Sequence, residues 1–167
     1  MKELVLVRHA KSSWKHNGLE DCERPLNGRG RRDGPVMAER FSRQPHKPGL
    51  VISSYATRAL TTARVFCDYL RYPIEQVRLS EQLYEASVPD ILEVLHGLDD
   101  RQNCVMLFGH NPGFTDLINY FITANLENLP TAGVAVVALP IERWKQVVED
   151  GVGGKGKLAY YSFPKQA

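Results

Sequence analysis

The chain predicts an α/β fold: a three-layer α/β/α sandwich on a mostly parallel central sheet, with an antiparallel edge added by the carboxyl-terminal strands. Three observations carry the prediction. Apolar runs at 4–7, 49–53 and 103–108 do not alternate with polar residues as half-buried strands would, so they read as strands covered on both faces. Each run stops in a polar burst and is followed by a segment of helical periodicity. Strand, polar turn and helix in repetition are the mark of βαβ units. Beyond residue 131 the pattern changes to two strand-like runs, 132–140 and 156–163, with little helix between them, which fits antiparallel addition to the sheet.

Taken in order, Leu4, Val5, Leu6 and Val7 form the first strand between Glu3 and Arg8. Residues 14–27 mix charges with Gly18 and Pro25, show no period, and read as a loop crossing the top of the sheet. Asn27-Gly28 opens a helix over 29–43 with Val36, Met37, Ala38 and Phe41 on one face, stopped by Gln44-Pro45. The second strand, 49–53, leads into a helix over 54–71 that turns Ala59, Leu60, Ala63, Phe66, Cys67 and Leu70 inward. Ser and Thr at that junction are natural N-caps. A short third strand at 77–79 precedes a helix from Pro89 to Leu98, with Pro in the first turn. After the strand at 103–108, a helix from Phe114 buries Leu117, Ile118, Phe121 and Ile122. A turn-rich linker through Trp144 and Gly151 to Gly156 joins the last two strands.

With 167 residues the chain reads as one domain over 1–167, enough to bury roughly two-thirds of its unfolded surface without staples. Hydrophobic content of 43% and charge of 24% are ordinary for a globular protein, and a net charge of +2 is too small to imply a nucleic-acid partner. Cys22, Cys67 and Cys104 are widely spaced with no CxxC pair, which argues for a reducing compartment rather than a disulfide framework. The apolar run before Arg8 is too short for a signal-peptide core or a membrane span, so a cytoplasmic location and no membrane partner are expected.

The candidate chemistry lies at the carboxyl ends of the strands, where open α/β sheets place their ligands. Arg8 and His9 leave the first strand, Arg58 sits in the first turn of the second helix, and Gly109-His110-Asn111 leaves the fourth strand. An arginine at a helix amino end opposes the helix dipole, so Arg58 implies an anion that offsets it. Two forked guanidinium groups suit a tetrahedral oxyanion. Two histidines on separate loops add reaction to binding, because a neutral imidazole is a nucleophile toward phosphorus and neighbouring arginines disfavour imidazolium. The same residues also fit a solvated strand exit, or a module that binds phosphate without turning it over. A zinc site of His9, His110 and Cys22 lacks paired ligand spacing. Arg24, Arg29, Arg31 and Arg32 form a basic cluster that reads as a solvated first helical turn or, in the alternative, as a phosphate-reading group. His16, His46 and His96 read as surface or helix-end residues, and the cysteines as small core hydrophobes.

Three motifs in order resemble one family. Arg8-His9-Ala10 after the first strand, Ser53-Ser54-Tyr55-Ala56-Thr57-Arg58-Ala59 with Thr61-Thr62-Ala63, and Gly109-His110-Asn111-Pro112-Gly113 are similar to the histidine phosphatase superfamily, whose fold is called phosphoglycerate-mutase-like. The opening Arg8-His9-Ala10-Lys11-Ser12-Ser13 with its short loops most resembles the small SixA-type phosphohistidine phosphatases. The resemblance implies that His9 takes the phosphoryl group, that Arg8, Arg58 and His110 hold its oxygens, and that water then releases phosphate, with no metal or cofactor. Ser12, Lys11 and Asn111 join Arg8, Arg58 and His110 as expected substrate contacts, and Lys11, Trp14 and Arg24 as a candidate rim. Many members carry glycine after the nucleophile where this chain has Ala10, so a positive φ there is in question; the SixA branch accepts the change. Glu85, in Leu83-Tyr84-Glu85-Ala86, is the nearest match to the acid that larger members use, and is either that proton donor or a support of the site. The implied substrate is phosphohistidine on another protein, such as a histidine-phosphotransfer domain, since the short connections from Tyr84 to Pro89 and from Asn111 to Phe114 leave little room for a lid. The alternative is a small phosphoester or sugar phosphate.

Overall fold

Successive side chains of a strand point to opposite faces, so a strand covered on both sides serves two cores at once. The computed structural model describes residues 1–165; residues 166–167, which the single-domain expectation includes, lie outside them. In β1 (Lys2–Arg8), Leu4 and Leu6 enter one core and Val5 and Val7 the other, all fully buried. β2 (Leu50–Ser54) and β4 (Cys104–Gly109) divide in the same way: Ile52 and Leu107 join the first core, Val51, Met106 and Phe108 the second. The first core is closed by α3 (Val88–His96), α4 (Gly113–Phe121) and the short α5 (Gln146–Glu149), and the second by α1 (Gly28–Ser42) and α2 (Thr57–Leu70). The expected three layers result.

The sheet has the order β3-β2-β4-β1-β5-β6, with β3 at Arg78–Ser80, β5 at Val134–Leu139 and β6 at Lys157–Ser162. The four strands from β3 to β1 are parallel. β5 runs antiparallel to β1, and β6 antiparallel to β5, so the antiparallel edge is present as expected. The register of the central pair sets Arg8 opposite Gly109. His9 and His110, one residue further on, therefore leave the sheet side by side.

Several local readings differ. Met37, Ala38 and Phe41 form the buried stripe of α1 with Gly30 and Gly34, whereas Val36 is turned out and 48% exposed. At 100° per residue it falls outside the stripe spaced three and four residues apart. α2 begins at Thr57 because Ser53 and Ser54 remain in β2. Its N-cap is Ala56, with no side-chain cap, and the Ser54 hydroxyl oxygen accepts the Ala56 N–H at 3.2 Å instead. Leu60 and Leu70 lie on the flanks of α2, half-buried. The linker after β5 is ordered around Trp144, which is fully buried in the first core and donates from Nε1 to the Gln102 carbonyl at 2.7 Å. Cys67 and Cys104 are core residues whose thiols burial pushes up to about 11 and about 12, but Cys22 is only partly buried. Among the described residues no helix is long and apolar enough to cross a membrane.

Phe66 shows what the packing is worth. It is fully buried between Phe41 and Phe108, at ring-centroid distances of 6.5 and 5.3 Å, and joins α2 to both α1 and the sheet. Phe66→Ala is expected to lower unfolding free energy by about 3–5 kcal/mol, read from urea melts. A loss under about 1 kcal/mol would mean that this core collapses around the cavity.

Candidate active site

The ends of β1, β2 and β4 and the amino end of α2 meet at one cleft of about 290 Å³, and the eight residues expected at the site, Arg8, His9, Lys11, Ser12, Arg58, Glu85, His110 and Asn111, all line it. Trp14, Asp21, Arg24 and Thr131 complete the lining. The histidine rings are 5.3 Å apart between centroids, tilted by 53°.

The loop that carries His9 is held by its backbone. The His9 N–H donates to Gly109 at 3.0 Å, and the Ala10 N–H donates to the Thr62 hydroxyl oxygen at 3.0 Å while that hydroxyl donates to the Arg58 carbonyl at 2.8 Å. Thr62 thus ties the loop to α2. Ala10 is not among the residues with positive φ, which explains why no glycine is needed there. Gly30 is needed: a Cβ on it would stand 2.2 Å from the Lys11 carbonyl oxygen, so only glycine lets the first turn of α1 lie against the loop.

The His9 tautomer follows from its partner. Nδ1 lies 2.7 Å from the Ala10 carbonyl, which only accepts, so Nδ1 carries the proton and Nε2 keeps its lone pair. Burial, with smaller contributions from His110, Arg58 and Arg8, pushes the His9 pKa down to about 3. Burial first and Arg58 second lower that of His110 to about 4. Desolvation therefore outweighs the neighbouring arginines in keeping both rings neutral. An unfolded histidine titrates near 6.5. The unfolded chain thus binds more protons than the folded one between about pH 6.5 and these lowered values, and these two groups make stability fall as pH drops through that window. Ring ¹⁵N shifts of His9 and His110 are expected to stay those of neutral imidazole from pH 8 to pH 5, with a lower urea midpoint at pH 5 than at pH 7. A titration midpoint near 6.5 for either ring would contradict this.

Arg58 is 4% exposed, and the protein itself supplies the anion that offsets it. Its Nη2 donates to the Asp21 carboxylate at 2.9 Å and its Nη1 to the Asp21 carbonyl at 2.7 Å. The same carboxylate accepts from Arg24 Nε at 3.0 Å and from the Tyr84 hydroxyl, and Tyr84 and then the two arginines hold it well below the usual carboxylate range. Asp21 lies on a 3-10 turn, Asp21–Glu23, inside the stretch read as a plain loop. No motif singles out Asp21, which stands in sequence among Glu20 and Glu23 and meets Arg58 only in the folded chain. Arg24 also departs from the solvated cluster: it is 9% exposed and donates to the Ser12 hydroxyl at 2.7 Å and the Ser13 carbonyl at 3.1 Å. Trp14, 74% exposed, covers it at 3.6 Å from the ring centroid. Arg29, Arg31 and Arg32 are exposed as expected.

Arg8 Nη1 donates to the Leu129 carbonyl at 3.0 Å, and its Nε, like that of Arg58, is buried without a partner. Such unpaired donors facing a cleft suit an oxyanion. Asn111 lines the cleft, but its amide is engaged: it donates to Leu129 at 2.9 Å and Asn128 at 2.8 Å and accepts from Thr115. It braces the carbonyl that steadies Arg8. Glu85 is exposed on the cleft rim and takes φ +49°, a left-handed conformation unusual for a residue with a Cβ and often found at functional sites. Among the described residues no group of three or more His, Cys, Asp or Glu side chains could hold a metal ion.

Comparison with known proteins gives the family and the fold. Residues 4–96 match the model of the histidine phosphatase superfamily, branch 1. The chain is 27% identical over 162 residues to an uncharacterized chloroplastic protein of Arabidopsis thaliana, covering 92% of this chain and 74% of that one. It is 28% identical over 144 residues to an uncharacterized protein of Mycobacterium tuberculosis, covering 78% and 85%. Its fold is similar to that of the protein histidine phosphatase SixA solved with tungstate, with TM-score 0.78, 20% identity and 97% of both chains covered. It is also similar to a mycobacterial glucosyl-3-phosphoglycerate phosphatase solved with inorganic phosphate, with TM-score 0.65, 15% identity and 100% of both chains covered. A family match that spans more than half of the chain and takes in the ends of β1 and β2 settles membership: this chain belongs to branch 1 of the histidine phosphatase superfamily.

Proposed function

We propose that this phosphatase, a single domain acting in the cytoplasm, hydrolyses phosphohistidine carried on another protein through a covalent phosphoryl group on His9. The observation that carries the reading is the bare Nε2 of a neutral His9 at the floor of a cleft lined by Arg8, Arg24 and Arg58. In the first step Nε2 attacks phosphorus, the bond from phosphorus to the substrate nitrogen breaks, and that nitrogen leaves as imidazole after taking one proton. In the second step water attacks the same phosphorus, the His9–phosphorus bond breaks, and inorganic phosphate departs. Arg8 and Arg58 hold the oxygens on which charge develops, with His110 beside them.

Shape supports a protein substrate. The connections at 84–89 and 111–114 are short, and the cleft stands open at the sheet's edge, so a phosphorylated side chain on a protein surface can enter. The second reading, a small phosphoester, is favoured by Glu85: an ester oxygen is a poorer leaving group than imidazole and gains more from an acid at the rim.

The deciding experiment compares turnover of a phosphorylated histidine-phosphotransfer domain with that of a panel of phosphosugars, for the native chain and for Glu85→Gln. The expected result is a higher kcat/KM on the phosphorylated domain and a loss under threefold in Glu85→Gln. Preference for phosphosugars, with a loss of about 10²-fold or more in the variant, would transfer the assignment to the second reading.

A further inference from the structure

Ser54 closes β2 with its side chain fully buried, and its hydroxyl lies 2.8 Å from Nε2 of His110. We propose that Ser54 is a positioning residue that sets the tautomer of His110, donating to Nε2 so that the ring's one proton rests on Nδ1 and is offered to a phosphoryl oxygen. The inference rests on the reading that the cleft receives a phosphoryl group.

Counting donors and acceptors assigns the proton. Ser54 Oγ has two neighbours in hydrogen-bond reach: the Ala56 N–H, which only donates, and His110 Nε2. If Nε2 carried a proton, Oγ would receive two donors and its own hydroxyl proton would be stranded in a fully buried place. His110 Nδ1 would also go unused, because it is buried and has no protein partner. If the hydroxyl donates to Nε2, one unpaired group remains, the Nδ1–H, on a ring that lines the cleft with Arg8 and Arg58. A lone buried donor at an oxyanion pocket is the group that a phosphoryl oxygen satisfies. Burial and Arg58 keep the ring neutral, so it has a single proton to place.

The two histidines then perform opposite tasks with the same tautomer. In His9 the protein accepts the Nδ1 proton at the Ala10 carbonyl and leaves the Nε2 lone pair to attack. In His110 the protein occupies the Nε2 lone pair and leaves the Nδ1 proton to bind.

The test is a long-range ¹H–¹⁵N correlation spectrum of the histidine rings in the full ¹⁵N-labelled chain at pH 7, with His110 assigned by loss of its signals in His110→Gln. The expected pattern for His110 is a protonated Nδ1 and an imine-type Nε2, with the Nδ1 signal moving on addition of inorganic phosphate. Ser54→Ala is expected to shift the ring toward the Nε2–H tautomer and to lower kcat by roughly 10- to 100-fold, by analogy with the loss of an outer partner that orients a metal-bound histidine. Ser54→Thr, which keeps a hydroxyl, restores both. A protonated Nε2 in the native spectrum, an Nδ1 signal indifferent to phosphate, or an unchanged tautomer in Ser54→Ala would overturn the proposal. Should Ser54→Ala not fold, the native spectrum alone decides. Absence of turnover with the expected native spectrum and phosphate response would count against the substrate reading and leave the assignment of Ser54 standing.

Discussion

Quenched within seconds of mixing with a generic phosphodonor, the native chain is expected to carry one acid-labile phosphate by intact-mass spectrometry, and His9→Ala none. Turnover in the variant is expected to fall by about 10⁴-fold or more, the scale of loss when the nucleophile of a two-step mechanism is removed. The physical ground is specific to this ring. Its Nδ1–H is fixed on the Ala10 carbonyl and it is 8% exposed, so it is neutral at working pH with Nε2 as its only free nitrogen. No other cleft residue replaces it: His110 Nε2 is occupied by Ser54. An adduct on His9→Ala would move the phosphoryl group to another residue, and hydrolysis at the native rate with no adduct would end the covalent reading and favour direct attack by water.

Arg58→Ala is expected to lower kcat/KM by about 10²–10³-fold, since it removes buried donors aimed where charge develops in the transition state. Arg58→Lys is expected to recover little of this. An ammonium is a single point charge, whereas the guanidinium holds the Asp21 carboxylate and carbonyl with two nitrogens and still presents N–H groups to the cleft. Thermal melts keep the two effects of the change apart, because Asp21 retains Arg24 and Tyr84 in the variant and the 3-10 turn has other ties. A kcat/KM within threefold of native in Arg58→Ala would show that the phosphoryl group is held elsewhere, by Arg8 and Arg24.

The parts of this protein that could be read from its sequence are those set by local pattern. Apolar runs without alternation required strands covered on both faces, and Leu4 to Val7 supply both cores. Strand, turn and helix in repetition required parallel pairing, and the sheet's carboxyl edge then had to collect Arg8, His9, Arg58 and His110. Asn27 marks the start of α1 by its own chemistry, accepting the Gly30 N–H at 2.9 Å.

What the tertiary structure decided are the pairings between elements far apart in the chain. Asp21 stands 37 residues from the Arg58 it holds, and Ser54 stands 56 residues from the His110 it contacts. Neither partnership leaves a period or a motif, because a hydrogen bond between side chains constrains two residues in space and nothing between them. Burial belongs to the same class. Arg24 shares a basic cluster with Arg29, Arg31 and Arg32 in sequence as well as a candidate place on the rim, and only the fold of the first loop placed it under Trp14 and against Ser12. Local pattern determined where the site is; long-range packing decided the protonation, charge balance and orientation of the groups within it, since each depends on what the neighbouring element brings to the same few ångströms.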